Sequence, residues 1–437
     1  MQLTVDNLAR WSGGSWSQKP DVDGVTGVSQ DTRKIVPGML YVALVGERFD
    51  GHDYIEEAFQ KGAVAALVSD SYRGKEWGLL LVQDPLRALQ KIALAYRQMW
   101  SGCAIGITGS VGKTTVKELC SVMIGGVDDV HKTPGNYNNH IGVPLTLLEL
   151  KEQHRWAVLE LGMNHPGEIR PLAEMIEPEI GIMTDLGAAH RAHFNSMEEI
   201  VKEKAELVRA LPKNGTAILM RNEVWYDTLS SQTDATVLDV GLDIDATIQG
   251  SFQEDVLVVD GYRYHLPQPG EHMARNVLRA IGLGLVLGRT HDHMIEGLQA
   301  YTPAPLRWAE HELEGVCWIN DAYNANPLSM RAALKTFKQR SARKRYAVLG
   351  EMCELGETAE KEHMALAQFL EELELDGWIV LGSFGKLMAM GRSGIAVESA
   401  EEAAEQIKNW VSAGDSVLLK GSRSIHVEQV MDFFKKD

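Results

Sequence analysis

A three-domain α/β protein built around a central P-loop unit is the fold class this sequence predicts, and three observations carry it. The chain has 437 residues, a length that corresponds to roughly two to four domains, with three as the central expectation. The apolar stretch Ala104-Ile105-Gly106-Ile107 runs into a glycine-rich turn and then into Lys113-Thr114-Thr115, the strand–loop–helix order that aims backbone N–H groups and one ammonium at phosphates. Apolar strands then keep alternating with helical segments as far as the C-terminus, the pattern of open sheets that bind ligands at the carboxyl ends of their strands.

Residues 1–84 read as a small mixed domain. Val36-Pro37-Gly38 marks a turn before the strand Met39–Leu44, and Gly51-His52 leads into a helix through Ile55 and Ala58. A further strand covers Ala63–Val68, and Asp84 is placed to cap the helix that carries Ala88, Ile92, Ala95 and Tyr96. Residues 85–304 form the second unit, with strands at Cys103–Thr108, Trp156–Leu161, Ile180–Met183 and Thr216–Leu219. Gly241–Leu266 switches to short strands and turns and reads as a β-rich appendage, followed by a helix over His272–Leu287. Residues 305–437 start another α/β unit, with strands at Val316–Ile319, Tyr346–Leu349, Trp378–Leu381 and Ser416–Leu419. Helices at about 328–339, 358–373 and 400–411 separate these strands.

The balance of 43 Lys and Arg against 60 Asp and Glu gives a formal net charge of −17, which argues against a general nucleic-acid surface. The four cysteines, Cys103, Cys120, Cys317 and Cys353, have no metal-ligand spacing and read as free thiols. No basic segment followed by an apolar run opens the chain, and no stretch reaches the roughly 18 apolar residues of a membrane span. The expectation is a soluble cytoplasmic protein without stable membrane insertion.

The glycine-rich turn matches Gly109-Ser110-Val111-Gly112-Lys113-Thr114-Thr115. Ile107 stands where the commoner spacing has its first glycine. In the functional reading the loop holds ATP phosphates and Thr114 places its hydroxyl on Mg²⁺; a glycine turn with a surface lysine is the plainer alternative. Glu160 ends a strand of the same sheet, where a carboxylate reaches the nucleotide's metal ion or is simply solvated. Asn136, Asn138, Asn139 and His140 can bind phosphate oxygens or cap Ile141–Leu148. His190 and His193 can be ligands or surface histidines. The segment Met197–Leu207, which includes Lys204, reads by pattern alone as a solvated charged helix face. Asn320–Pro327 places many polar groups between a strand and a helix, which suits a site or a helix start.

Together these motifs closely resemble the Mur ligases, the ATP-dependent amide-bond ligases of peptidoglycan precursor synthesis, nearly end to end. Asp31-Thr32-Arg33, with Asp50-Gly51-His52-Asp53, is similar to the family's UDP-muramoyl-peptide region, although Thr32 replaces the usual Ser. Thr108–Thr115 is similar to the family's phosphate loop and accounts for its glycine spacing. Asn138-Asn139-x-x-Gly142-x-Pro144, Leu159–Asn164, Tyr323-Asn324-Ala325-Asn326-Pro327, Leu349–Gly356 and Lys420-Gly421-Ser422-Arg423 are further signatures. Several of them are most like the members that add the terminal dipeptide.

The resemblance implies a UDP-muramoyl-peptide domain, a P-loop ATPase domain and a Rossmann-like C-terminal ligase domain. It implies that Thr114 and Glu160 hold one Mg²⁺, and that His190 and a carbamylated Lys204 organise a second. It places His272 and Asn276 near adenine, and Arg307 and Asp321 over ATP. It assigns Asp31, Thr32, Arg33, Asp50, His52, Tyr323, Asn324, Asn326, Lys420, Ser422 and Arg423 to substrate, and Asn139 to the nucleotide. The implied reaction joins D-alanyl-D-alanine to UDP-N-acetylmuramoyl tripeptide, and the charge content with no coiled-coil repeat points to a monomer. A related ligase with another substrate, or an ATP-driven switch, is the alternative. Three departures stand out: Met220 occupies a usual Asn position, Asn320 a usual Asp, and Asn195 a usual Gly, where a turn with unusual backbone angles is expected.

Overall fold

The computed structural model describes residues 2–74, 77–126, 128–188, 191–389 and 393–435. Its three principal sheets follow one another along the chain. The first has five strands in the order Ser15–Trp16, Leu79–Val82, Ala65–Ser69, Leu40–Val42, Val28–Ser29, parallel except for the first pair. Asp84 accepts hydrogen bonds from the N–H groups of Leu86 and Arg87 at 2.9 and 3.1 Å, and Pro85 follows, so helix Pro85–Gln98 starts at a defined residue.

The central sheet has nine strands. Val130–Lys132, Trp156–Glu160, Cys103–Thr108, Ile180–Met183, Thr216–Met220, Thr236–Leu242 and Ile248–Gln253 run parallel, and Val256–Val259 and Tyr262–His265 complete the edge antiparallel. The expected β-rich appendage is therefore not a separate body. Asp260 and Gly261 both have positive φ, 52° and 83°, as a two-residue hairpin requires, and this hairpin extends the main sheet.

Side-chain alternation divides the central core. Ile105, Ile107 and Val158 face helices Lys113–Ile124 and Glu271–Val286, whereas Ala104, Ala157 and Leu159 face the opposite side. On that side, Leu89 and Ile92 of helix Pro85–Gln98 share one cluster with Leu40, Leu67 and Leu80 of the first sheet. The helix is thus packed between two sheets and ties the N-terminal unit to the central one.

The third sheet orders Ala309–Leu313, Val316–Asn320, Ser416–Lys420, Arg345–Gly350, Gly377–Leu381 and Gly394–Val397, parallel except for the first hairpin. Helices Pro327–Gln339, Ala359–Leu373 and Ala400–Trp410 connect and cover its strands. Among the described residues no helix is long and apolar enough to cross a membrane.

Two of the three sequence departures are absorbed by the fold. Met220 is buried in the central core, and Asn222 bonds both the N–H and the C=O of Leu242 at 2.8 Å. Asn320 is buried and accepts from the Ala322 N–H at 3.3 Å. The third expectation changes: Asn195 is not among the residues with positive φ. Its N–H instead donates to Glu199 at 2.9 Å, and Ser196 caps helix Met197–Lys204.

Candidate active site

Strand Cys103–Thr108 delivers the glycine-rich loop to a cleft of about 440 Å³ between the central and C-terminal units. Gly109 has φ 154°, and a Cβ there would stand 1.9 Å from Thr184 Oγ1. Gly112 has φ 89°, and a Cβ there would meet Asn276 Oδ1 at 2.9 Å. Both glycines are therefore required by conformation and by close approach. Gly112 offers no side chain to cap helix Lys113–Ile124, which leaves the first helical N–H groups available to an anion. Lys113 donates to the Gly109 carbonyl at 2.9 Å within the loop, and burial lowers its pKa from the usual lysine value.

Beside the loop, Thr114 donates its hydroxyl to Glu160 Oε2 at 2.9 Å, and Asn138 donates to Oε1 at 2.8 Å. Glu160 is 2 % exposed, so a buried carboxylate and a hydroxyl form one oxygen pair at the mouth of the phosphate loop. Asn139 lines the cleft, but its Oδ1 accepts from the N–H groups of Ile141 and Gly142 at 3.1 and 2.8 Å. It starts helix Gly142–Leu147 and so shapes the wall.

Helix Glu271–Val286 brings His272 and Asn276 to the cleft on one face, four residues apart. The His272 ring lies 6.4 Å from that of Trp308, and burial lowers its pKa. Opposite, Arg307 stacks on Tyr323 with its guanidinium carbon 4.0 Å from the ring centre. Leu306 and Trp308, on either side of Arg307, both adopt left-handed backbone, with φ of 61° and 54°. Asp321 ties the wall together: Oδ1 accepts from the Trp308 N–H at 3.2 Å, and Oδ2 pairs with Lys420 at 2.6 Å. Asn324 lines the same wall. Asn326 forms a reciprocal cap with Ser329 at the start of helix Pro327–Gln339.

Lys204 corrects the solvated-face reading. It is 1 % exposed, at the end of helix Met197–Lys204, where the chain breaks before the next helix, Glu206–Arg209. Its pKa is held well below the usual lysine range, by burial first and then by the charge of Lys113. His190 lies outside the described residues. His193 packs its ring against that of His165, tilted by 50° with centroids 4.1 Å apart.

The remaining predicted residues do not line this cleft. Asp31 is clamped by Arg33 at 2.9 Å, and Thr32 donates to Glu57 at 3.0 Å. His52 commits both ring nitrogens within the N-terminal unit, to Asp50 at 2.6 Å and to the Ser69 N–H at 3.0 Å. Ser422 accepts from the Cys353 N–H at 2.8 Å, so it orients a residue that does line the cleft. Arg423 pairs with Glu428.

Asp185 escaped the sequence reading. It lines the cleft, and its backbone carbonyl accepts the N–H groups of Ser110 and Val111 at 2.9 and 3.1 Å. The strand-end position that singled out Glu160 was equally a signal here. Trp308 and Gln268 also line the cleft and carried no motif signal.

Family comparisons cover the chain in three consecutive pieces: the Mur ligase family catalytic domain over residues 24–97, the Mur ligase middle domain over 107–284, and the Mur ligase glutamate ligase domain over 307–423. A UDP-N-acetylmuramoyl-tripeptide–D-alanyl-D-alanine ligase of Synechocystis sp. is 34 % identical, over 93 % of this chain and 91 % of its own length.

The chain belongs to the Mur ligase family.

A ligase of the same name from Bacillus subtilis is 33 % identical, over 99 % of this Mur ligase and 98 % of its own length. The crystal structure of MurF from Acinetobacter baumannii superposes with a TM-score of 0.92 at 29 % identity, covering 100 % of this chain and 99 % of that one. The three-domain α/β architecture of this Mur ligase is thus that of a solved member of the family.

Proposed function

We propose that this Mur ligase joins D-alanyl-D-alanine to UDP-N-acetylmuramoyl tripeptide at the expense of ATP, forming the pentapeptide precursor of peptidoglycan. The carrying observation is the facing of two walls. Lys113, Thr114 and Glu160 stand on the central unit, and Arg307, Asp321 and Lys420 stand opposite on the C-terminal unit. The end-to-end match to dipeptide-adding ligases gives the substrates.

A carboxylate is a poor acyl donor, so the tripeptide's terminal carboxylate takes the γ-phosphoryl group of ATP and becomes an acyl phosphate. The amine of the dipeptide attacks that carbonyl carbon, and phosphate leaves. The phosphate-loop amides and Lys113 offset charge on the transferred group. Arg307 and Lys420 supply cationic charge from the opposite wall, and holding the acyl phosphate between the two walls limits its access to water.

The buried oxygen pair of Thr114 and Glu160 suits Mg²⁺, which prefers hard oxygen donors. When bound, the ion neutralises phosphate charge. Among the described residues no group of three or more His, Cys, Asp or Glu side chains forms a metal site. A carbamate on Lys204 would supply oxygens in another way: its amine adds to carbon dioxide and releases one proton, turning a cationic position anionic. Burial that favours the neutral amine supports this reading. Asp31, Thr32, Arg33, Asp50 and His52 belong to the UDP-sugar end of the substrate. The reading places a monomer in the cytoplasm, where ATP is available.

The test is phosphate release with Mg²⁺-ATP, the tripeptide and the dipeptide, paired with product mass. Release that requires both substrates, with a product heavier by one dipeptide, is the expected result. ATP turnover indifferent to either substrate would sink the proposal.

A further inference from the structure

Behind the phosphate loop lies a group of four charged side chains that none of the family motifs quoted above contains. Arg279 is fully buried. Its Nη2 donates to Asp185 Oδ1, and its Nη1 lies 3.5 Å from Asn276 Oδ1. Arg275 stands 3.4 Å from Asp185 and pairs with Glu223. Asp185 and Asn276 both touch the loop. Asp185 holds the N–H groups of Ser110 and Val111 through its carbonyl. Asn276 closes the space over Gly112. Arg279 therefore connects both supports without lining the cleft itself.

We propose that Arg279 is a positioning residue for ATP: by holding Asp185 and Asn276 together, it sets the shape of the phosphate loop and thereby the affinity for the nucleotide. The proposal rests on the reading of this loop as the ATP site. Its physical basis is the planar guanidinium, which offers donors in two directions at fixed geometry, whereas an ammonium is a point charge on a flexible stem. Two of the loop's N–H groups are spent on Asp185, which leaves those at the start of helix Lys113–Ile124 to receive phosphate. The partners sit 94 residues apart in sequence, on a helix and at a strand end, so the link also fixes the helix against the sheet. Burial and the two arginines pull the Asp185 carboxyl in opposite directions, and the arginines prevail, keeping it below the usual aspartate value.

The test uses the full-length enzyme with Mg²⁺ and two variants. R279K keeps the charge and loses the fork. The double variant R279Q with D185N removes both charges, so no buried charge is left unpaired. Calorimetric affinity for a non-hydrolysable ATP analogue is measured with KM for ATP, tripeptide and dipeptide. The double variant is expected to weaken analogue binding and raise the ATP KM at least about tenfold, with the other two KM values unchanged and R279K intermediate. Unaltered analogue affinity in either folded variant overturns the proposal, as does a uniform rise in all three KM values. If the double variant does not fold, R279K decides alone: a several-fold rise in the ATP KM supports the proposal and wild-type affinity overturns it. K113A is the control for the underlying reading. Wild-type analogue binding by K113A refutes the phosphate-loop assignment, a result distinguishable from failure at Arg279.

Discussion

Thr114 and Glu160 meet at 2.9 Å across 46 residues of sequence, the hydroxyl of a helix start against the carboxylate of a strand end. The parallel pairing of strands Cys103–Thr108 and Trp156–Glu160 produces this meeting, because it sets Glu160 opposite Ile107, just before the loop. Glu160→Gln preserves shape and removes charge. It is expected to lower kcat/KM by at least about a hundredfold and to raise the Mg²⁺ concentration needed for half-activity. A magnesium titration at saturating ATP checks this, and an unshifted curve would remove Glu160 from the metal's surroundings.

Lys204 gives a prediction in each of two readouts. K204A is expected to abolish ligation, and wild-type activity is expected to rise with dissolved carbon dioxide. Carbon-13 carbon dioxide followed by NMR detects the carbamate directly; a lysine that never acquires the label rules it out. Stability supplies the second readout. The folded pKa is depressed below the ordinary lysine value of 10.5, so between the folded value and the ordinary one the unfolded chain binds a proton that the folded chain has released. Stability from this group is therefore present above the ordinary value and is lost as pH falls toward the folded one. In carbon-dioxide-depleted buffer at neutral pH, K204M should melt about a few degrees above wild type, and the gap should close as pH approaches 10.5.

Gly109→Ala should weaken ATP-analogue binding by more than about tenfold. The new methyl group would overlap the Thr184 hydroxyl at 1.9 Å, and the φ of 154° is poorly suited to alanine. Adding T184A removes the hydroxyl but leaves the Cβ and carbonyl carbon of residue 184 at 2.9 and 3.0 Å and the backbone angle unchanged, so rescue should be partial. Calorimetry of the single and double variants checks the order; full rescue would show that overlap alone dictates this glycine.

Glu223 should make stability fall with rising pH. Burial, joined by the neighbouring Asp185 charge, pushes its pKa from 4.5 up to about 7. Between those values the folded chain holds a proton that the unfolded chain has released. This contribution is complete below 4.5 and disappears as pH rises through about 7. E223Q should flatten that part of the curve, as measured by urea midpoints across the range. An unchanged slope would place the titration elsewhere.

The phosphate loop, the strand ending in Glu160 and the Tyr323–Pro327 turn were legible because each is a local pattern: an apolar run, a glycine or proline, then polar groups. Strand Ala309–Leu313 was not, since its three central residues, Glu310, His311 and Glu312, are polar in a row and it lies at a sheet edge with all three exposed. The extra hairpin of the central sheet was visible as strands but not as part of that sheet, because pairing partners are long-range. Lys204 illustrates the limit most clearly. Its neighbours Glu198, Glu199, Lys202 and Glu203 gave a solvated pattern, yet Lys204 follows Ile200 by four residues and Val201 by three and so shares their buried face. The Arg279–Asp185 pair could be found only once helix and strand end were brought together.

The joint between the central and C-terminal units places Arg307 between two bulky residues in left-handed conformation, Leu306 and Trp308. Such backbone costs about 1 kcal/mol or more at each position, and it narrows the directions in which the Arg307 side chain can be presented. Glycine at either flank would relax the backbone and widen that range. Durability and aim are thus opposed at this joint: L306G should fold at least as stably while presenting the Arg307 guanidinium less reliably to the cleft. Selection for heat resistance alone would erode the cleft at this point, and selection for turnover would keep the strain.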